Sequence, residues 1–249
     1  MITTAVILAA GRGTRLAGEV RDVPKGFLRL GAQPIIEESI ARLAGAGVQD
    51  VVIVTGHLAS FYDDLARRNP RVRTVHNPRF AESGSMYSLW CAREAVQGPF
   101  LLLESDLIYE PRALTHLLAQ PGDDGILLSG PTQAGDEVYV ATRDGCLLAM
   151  SKDRAALGAD VTGELVGISR VSPGLFATMI RLADRAFATS LRYDYETDCL
   201  VAAGRERCIP CPLLPDLVWS EIDDPAHLAR ARARIYPEIL RRAGGAPSP

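Results

Sequence analysis

The sequence has no long apolar run. Its longest hydrophobic stretches are strand-sized, far short of the ~20 residues that span a bilayer, so no membrane partner is expected. The start, MITTAVILAAG, lacks the basic residues that precede the apolar core of an export signal, and a glycine-rich turn follows at once. A core β-strand accounts for it better, and the cytoplasm is the expected compartment. Excess positive charge is missing too. With 27 Lys and Arg against 30 Asp and Glu, the net charge is −3 over 249 residues, which gives no electrostatic footprint for nucleic acid. The nearest approach to a basic patch, Arg230-Ala-Arg232-Ala-Arg234, would spread around a helix and is expected to be a solvated face.

Cysteine is sparse and odd in number, at five. Cys208 and Cys211 form a CxxC, but no second CxxC and no paired histidines complete a zinc site. Prolines at 210 and 212 argue against a redox CxxC, which would open a helix. Reduced thiols near a strand are expected. The four histidines, His57, His76, His116 and His227, are scattered without metal-ligand spacing. There is no internal repeat, no interdomain linker, and no aromatic-rich segment that would box a quaternary ammonium.

What the sequence does contain is a rhythm. Strand-like apolar runs recur at 4–9, 51–55, 72–76, 100–103, 125–129, 137–142, 146–150, 164–171 and 217–222. Helical patterns lie at 35–48, 57–68, 85–97, 173–189, 194–204 and about 225–240. AVILAA, VVIVT and FLLLES are continuous apolar strands of the kind buried on both faces. Their alternation with helices implies a largely parallel sheet. Arg143-Asp144-Gly145 reads as a hairpin turn. The expected fold class is α/β: a Rossmann-like three-layer α/β/α arrangement with a predominantly parallel mixed sheet. One domain is expected over 1–243, with a nucleotide-binding half at about 1–110 and an acceptor-binding half at about 111–243. The tail, GGAPSP at 244–249, is expected to be disordered.

After the first strand, Leu8, Ala9, Ala10, Gly11, Arg12, Gly13 and Thr14 form a turn of mostly small residues. Backbone can approach a ligand closely there, and successive N–H groups can cradle anionic oxygens. Arg15 and Lys25 add fixed positive charge, and a triphosphate is the obvious anion. Neither standard glycine pattern fits. Gly13 is followed by Thr14-Arg15, not by the Lys-Ser/Thr of a P-loop, and Leu16 stands where G-x-G-x-x-G needs glycine. Glycines that merely turn the chain are the plainer alternative.

Two acidic clusters end strands. FLLLESDLIYE delivers Asp106 to the sheet's carboxyl edge, where open α/β sheets bind ligands. WSEIDD supplies Glu221 and Asp223, which point the same way in an extended segment. Mg²⁺ on a nucleoside triphosphate takes one or two carboxylates plus phosphate oxygens, so Asp106 with Glu221 or Asp223 fits that ion. A helix cap is the ordinary alternative for Asp106.

LAAGRGTRL followed by VPKGFLRLGAQPIIEESI resembles the nucleotidyltransferases that activate sugar phosphates and related acids, the nucleotide-diphospho-sugar transferase type of fold. The resemblance is strong over about the first 110 residues and looser beyond. Gly26 departs from it, since proline or alanine commonly follows the lysine. The resemblance implies that Asp106 is the metal aspartate, and EID resembles the late acidic site of choline-phosphate cytidylyltransferases. NPRFAESGSMYSLWCA, with Asn77, Phe80, Ser83, Ser88 and Leu89, resembles the same enzymes and implies CTP. Gly84 and Ser85, with N–H groups at a helix start, are candidates to read the base or ribose; a helix cap at Ser83 or Ser85 is the alternative.

SGPTQAGDEVYV, LAMSKD, GELVGISRVS and YDYETDCLVAA resemble 2-aminoethylphosphonate cytidylyltransferases. That resemblance implies transfer of CMP from CTP to the phosphonate, with pyrophosphate leaving and Mg²⁺ as cofactor. Arg15, Lys25 and Lys152 would be the catalytic cations, Lys152 meeting the acceptor's phosphonate. Carboxylates among Asp136, Glu137, Asp194, Glu196 and Asp198 would meet its ammonium, with Glu164 and Gly167 in the same acceptor set. Phosphocholine, a sugar phosphate or another phosphonate are the neighbouring readings, and a homodimer is compatible with the sequence. A non-catalytic nucleotide-sensing module is the reading from another class. Intact Arg15, Lys25, Asp106 and Glu221/Asp223 argue against it.

Overall fold

The computed structural model describes residues 1–16 and 22–244. Its first strand, β1 (Thr4–Ala9), has every residue buried because helices cover both of its faces. Ala5, Ile7 and Ala9 face one core layer and Val6 and Leu8 the other, the period-2 alternation of a strand. The chain then alternates through α1 (Ile35–Gly45), β2 (Asp50–Thr55), α2 (Ala59–Arg68), β3 (Val72–His76), α3 (Ser85–Cys91) and β4 (Phe100–Glu104). Strand β1 pairs in parallel with β2 and β4, and β2 with β3.

The second half continues with β5 (Leu107–Tyr109), α4 (Arg112–Ala119), β6 (Gly125–Ser129), β7 (Tyr139–Arg143), β8 (Cys146–Ser151), β9 (Val161–Val171) and α5 (Pro173–Phe187). A π-helical turn, Tyr195–Leu200, runs into α6 (Val201–Gly204). Strands β10 (Leu213–Leu214) and β11 (Trp219–Glu221) follow, then α7 (Pro225–Arg230) and α8 (Tyr236–Arg242). The main sheet runs β10-β6-β9-β4-β1-β2-β3. Along that path only β9 is reversed, lying antiparallel between β4 and β6, so the sheet is mixed but mostly parallel as expected. The β7–β8 hairpin turns on Asp144 and Gly145, both at positive φ (52° and 77°), the backbone that a two-residue hairpin demands. Strand β5, strand β10 and helix α4 escape a periodicity reading. The two strands are only three and two residues long, and the apolar spacing of α4 covers barely two turns.

One layer packs Ile36, Ile40 and Leu43 of α1 and Tyr62 and Leu65 of α2 on the sheet. The other packs Met86 and Leu89 of α3 with Leu175 and Met179 of α5. A third cluster joins Leu16, Leu28 and Ile35 to Leu228, Tyr236 and Ile239, fastening the C-terminal helices behind the glycine turn. The tail expected to be disordered lies, apart from Gly244, outside the described residues.

The expectation of reduced thiols is overturned for one member of the CxxC. Cys208 is bonded to Cys146 of β8, 62 positions away in sequence. Leu147 N donates to Ile209 O and Cys211 N to Gly145 O, both at 2.9 Å. These bonds lay residues 208–211 along β8 and bring the two cysteines opposite each other. Cys211 stays a thiol, buried and pushed up to about 12 by that burial.

Candidate active site

Strands β1 and β4 end side by side. Leu8 is opposite Glu104, and Ser105 N donates to Leu8 O at 3.0 Å. The order of the parallel strands reverses here, which opens a crevice at their carboxyl ends. Asp106 lies just beyond β4. The short antiparallel pair β5–β11 sets Leu107 opposite Glu221, and Ile222 N donates to Asp106 O at 3.1 Å. That register carries the late acidic segment across to Asp106.

Between the two segments sits Lys25. Its Nζ donates to Asp106 Oδ2 at 2.8 Å and also to Asp223 Oδ1. Arg15 Nη2 donates to Asp223 Oδ2 at 2.9 Å, and its Nη1 lies 3.8 Å from Asp136 Oδ2. Burial works against the charged Lys25, but Asp106 and Asp223 more than offset it and hold the ammonium above the ordinary lysine range. Burial likewise opposes the charged Asp223, yet Lys25, and then Arg15, hold its carboxyl below its usual value. The cleft has a volume of about 340 Å³, and its lining includes Ala9, Ala10, Gly11, Arg15 and Lys25 from the first half of the chain. Asp136, Glu137, Lys152, Asp194 and Glu196 line it from the second half.

Its floor is different in character. Glu104, Glu196 and Glu221 all line it, and all three carboxyls are raised. For Glu104 the main cause is burial, followed by the charges of Glu196 and Glu221. For Glu221 it is burial, followed by Asp106 and Asp223. Burial also leads for Glu196, whose Oε2 accepts from the Ser85 hydroxyl at 2.9 Å. The Tyr195 hydroxyl is buried beside Glu104. The charges that act on these carboxyls are mainly those of other carboxylates. The cleft therefore holds paired cations and anions at the glycine turn and, at its floor, a cluster of carboxyls that burial and mutual repulsion push toward the neutral form.

The MobA-like NTP transferase domain model matches residues 5–241. The chain belongs to that family. It is 32% identical over 249 aligned residues to CMP-5'-(3-aminopropyl)phosphonate synthase of Streptomyces rubellomurinus, an alignment covering 94% of this chain and 39% of that protein. This chain thus spans well under half the length of that relative. It is 31% identical over 177 residues to 2-aminoethylphosphonate cytidylyltransferase of Lancefieldella rimae, covering 68% of this chain and 67% of the relative. Among solved structures, the inositol-1-phosphate CTP transferase from T. maritima superposes with a TM-score of 0.81 at 20% identity, covering 98% of both chains. The S. pneumoniae CTP:phosphocholine cytidylyltransferase LicC gives 0.73 at 20% identity, covering 93% of this chain and 98% of its own. At those identities the two structures speak for the shared fold.

In this NTP transferase domain most of the residues singled out from sequence converge. Leu8 joins Ala9, Ala10 and Gly11 along the cleft, while Arg12, Gly13 and Thr14 line an adjoining pocket of about 170 Å³ with His57 and Leu58. Ser83, Gly84, Ser85 and Ser88 also line the cleft. Asn77 fastens that turn, its Nδ2 donating to Ser83 Oγ at 3.1 Å and to Ser88 Oγ at 3.0 Å. The N–H groups expected to be open to a base are already bonded: Gly84 N to Leu191 O, Ser85 N to Asp194 Oδ1 and Met86 N to Tyr193 O. Neither Ser83 nor Ser85 caps the helix; Gly84 occupies that position without a side-chain bond. A Cβ on Gly84 would lie 2.6 Å from Tyr193 O and 2.7 Å from Asp194 Oδ1, so the docking of the 193–196 segment demands glycine.

Three members of the expected acceptor set do not line the cleft. Glu164 is buried, and its Oε2 accepts from Thr132 N at 2.8 Å. Asp198 is exposed, and its Oδ2 accepts from Asp194 N at 2.9 Å. Gly167 sits in β9 at φ +76°, its would-be Cβ 3.6 Å from Glu221 Oε1. Glu164 and Asp198 each hold a neighbour, Thr132 and Asp194, that reaches the cleft. The expected solvated face at Arg230–Arg234 also fails in part, because Arg230 turns inward and lines the cleft while Arg232 and Arg234 are exposed. Residues missed from sequence include Glu104, Tyr62, Thr132, His227 and Arg230. Of these Glu104 was legible, since it lies two positions before Asp106 at one strand end.

The departure at Gly26 has a local cause. A Cβ there would lie 2.9 Å from the Tyr62 hydroxyl, 3.1 Å from Ser105 O and 3.3 Å from Ile36 Cβ. Tyr62 is 1% exposed and fills the space a larger residue after Lys25 would need.

Proposed function

We propose that the protein is a CTP-dependent cytidylyltransferase that transfers CMP to an aminoalkylphosphonate, with 2-aminoethylphosphonate as the leading acceptor, and releases pyrophosphate. We read it as one domain over 1–243, with the nucleotide at the glycine turn and the acceptor against the later segments. The carrying observation is the polarity of the cleft. Arg15, Lys25 and Lys152 supply cations for the triphosphate and the phosphonate, and Glu104, Glu196 and Glu221 supply carboxyls at the floor that an incoming ammonium would draw into the ionised form. A zwitterion with one anionic and one ammonium end complements that arrangement. Floor carboxylates need N–H donors, which a primary ammonium has and a trimethylammonium lacks. This favours the aminophosphonate over phosphocholine. The names of the two phosphonate relatives agree with that choice of acceptor.

The reaction is a single in-line displacement. A phosphonate oxygen attacks the α-phosphorus of CTP, one P–O bond forms, the α–β bridging bond breaks and pyrophosphate leaves. The attacking oxygen is already ionised near neutral pH, so no side chain has to remove a proton. Catalysis then rests on positioning two mutually repelling anions and on stabilising charge as it spreads over phosphate oxygens. Arg15 and Lys25 neutralise the triphosphate while the backbone of Ala9–Gly11 approaches it, and Lys152 at the rim orients the phosphonate. Asp106 and Asp223 are brought together around Lys25, and two neighbouring hard carboxylates suit Mg²⁺. Those two residues would hold the ion, which when bound supplies further neutralisation of the phosphates. Glu221, expected from sequence as a third candidate ligand, is assigned to the acceptor ammonium.

Pyrophosphate release with each of four nucleoside triphosphates tests this. The acceptor panel is 2-aminoethylphosphonate, 3-aminopropylphosphonate, phosphocholine, inositol 1-phosphate and a sugar 1-phosphate. Release is expected with CTP and an aminophosphonate. Preference for UTP would overturn the base, preference for phosphocholine the acceptor, and no release with any pair the activity itself.

A further inference from the structure

The segment that brings Asp223 to the cleft continues into α7, and that short helix holds a second part of the site. Asp224 Oδ1 accepts from His227 N at 2.8 Å and starts the helix. His227 and Arg230, one turn apart, leave it on the same side. Both reach the connection between β6 and β7, residues 130–138, which carries Asp136 and Glu137 into the cleft. His227 Nε2 lies 3.2 Å from Ala134 O and 3.4 Å from Asp136 Oδ1. Arg230 Nη1 donates to Thr132 O at 3.1 Å, while its Nη2 donates to the Ser220 hydroxyl of β11 at 3.1 Å. His227 is 5% exposed.

The connection needs such a hold. It belongs to no strand, and Gln133 and Gly135 both take positive φ, at 56° and 102°. A non-glycine residue in that region persists only where its surroundings enforce it. The bond to Ala134 O requires the proton on Nε2, and Nδ1 is buried with no partner.

We infer that His227 is a positioning residue for the acceptor: through Ala134 O and Asp136 it fixes the 130–138 connection, so that Asp136 and Glu137 face the cleft in one arrangement. Lys25 is held by Asp106 and Asp223, and Arg15 by Asp223 at 2.9 Å, all outside the connection; only the longer 3.8 Å contact of Arg15 Nη1 with Asp136 reaches it. The main consequence of the hold therefore falls on the acceptor side, and it rests on the reading of that side as the acceptor's.

The test uses His227→Leu, which removes the donor, and His227→Gln, whose amide nitrogen can stand where Nε2 does. Loss of one buried hydrogen bond is expected to raise the KM for 2-aminoethylphosphonate about tenfold in His227→Leu. The KM for CTP should stay within about twofold, and His227→Gln should return the acceptor KM to within about threefold of the parent. Hydrogen exchange of the amides of 132–138, measured on the full chain without substrate, should quicken in His227→Leu and not in His227→Gln. That measurement needs no acceptor, so failure of the hold is separable from failure of the acceptor reading, which would show as no pyrophosphate release from the parent protein with either aminophosphonate. Unchanged exchange in His227→Leu, or equal rises in both KM values in both variants, would overturn the inference.

Discussion

Lys25 bridges Asp106 and Asp223, its Nζ 2.8 Å from Asp106 Oδ2 and bonded also to Asp223 Oδ1. The bridge joins the segment after the glycine turn to both acidic strand ends. Asp106→Asn keeps the shape and removes the charge, so it is expected to cost about 10²–10³-fold in pyrophosphate release. Near-normal turnover in that variant would refute the role given to Asp106.

Gly26 and Tyr62 form a second linked pair. Gly26→Ala is expected to destabilise the fold by about 1–3 kcal/mol through overpacking against the buried hydroxyl. Tyr62→Phe should relieve much of that loss, because the nearest clash is with the hydroxyl oxygen. Urea unfolding of both single variants and the double variant measures the coupling. Strict additivity would show that the Tyr62 hydroxyl is not what excludes a side chain at 26.

Burial holds the Glu196 carboxyl above its ordinary value, and the charge of Asp194 adds to the shift. Between the ordinary value and the raised one, the folded chain binds more protons than the unfolded chain, so stability falls as pH rises through that window. Denaturant midpoints of the ligand-free protein are therefore expected to decline upward from about pH 4.5, and Glu196→Gln should flatten the decline. A variant with the parent's slope would count against a raised Glu196.

The Cys146–Cys208 bond closes a long loop. Chain-entropy arithmetic for a loop of that length gives a stabilisation of about 4 kcal/mol, so Cys208→Ala should lower the unfolding midpoint and make it insensitive to reductant. Thiol titration of the denatured, unreduced protein should find the three thiols of Cys91, Cys199 and Cys211. Five thiols and no response to reductant would sink the pairing.

Neighbouring residues were enough to reveal the two-faced strands, the turn of small residues at Ala9–Gly13, and a carboxylate at each of two strand ends. Each of these is a property of spacing and residue type within a few positions, and the period-2 alternation of β1 is legible before any partner is known. Tertiary structure decided what meets what. The β5–β11 register presents Asp223 to Lys25 and leaves Glu221 at the floor with Glu104 and Glu196. Docking of 193–196 consumes the N–H groups at the start of α3, and α7 turns His227 and Arg230 inward onto a connection about a hundred residues earlier. Those outcomes depend on register and on contacts between distant segments, where a shift of one residue would exchange the inward and outward faces.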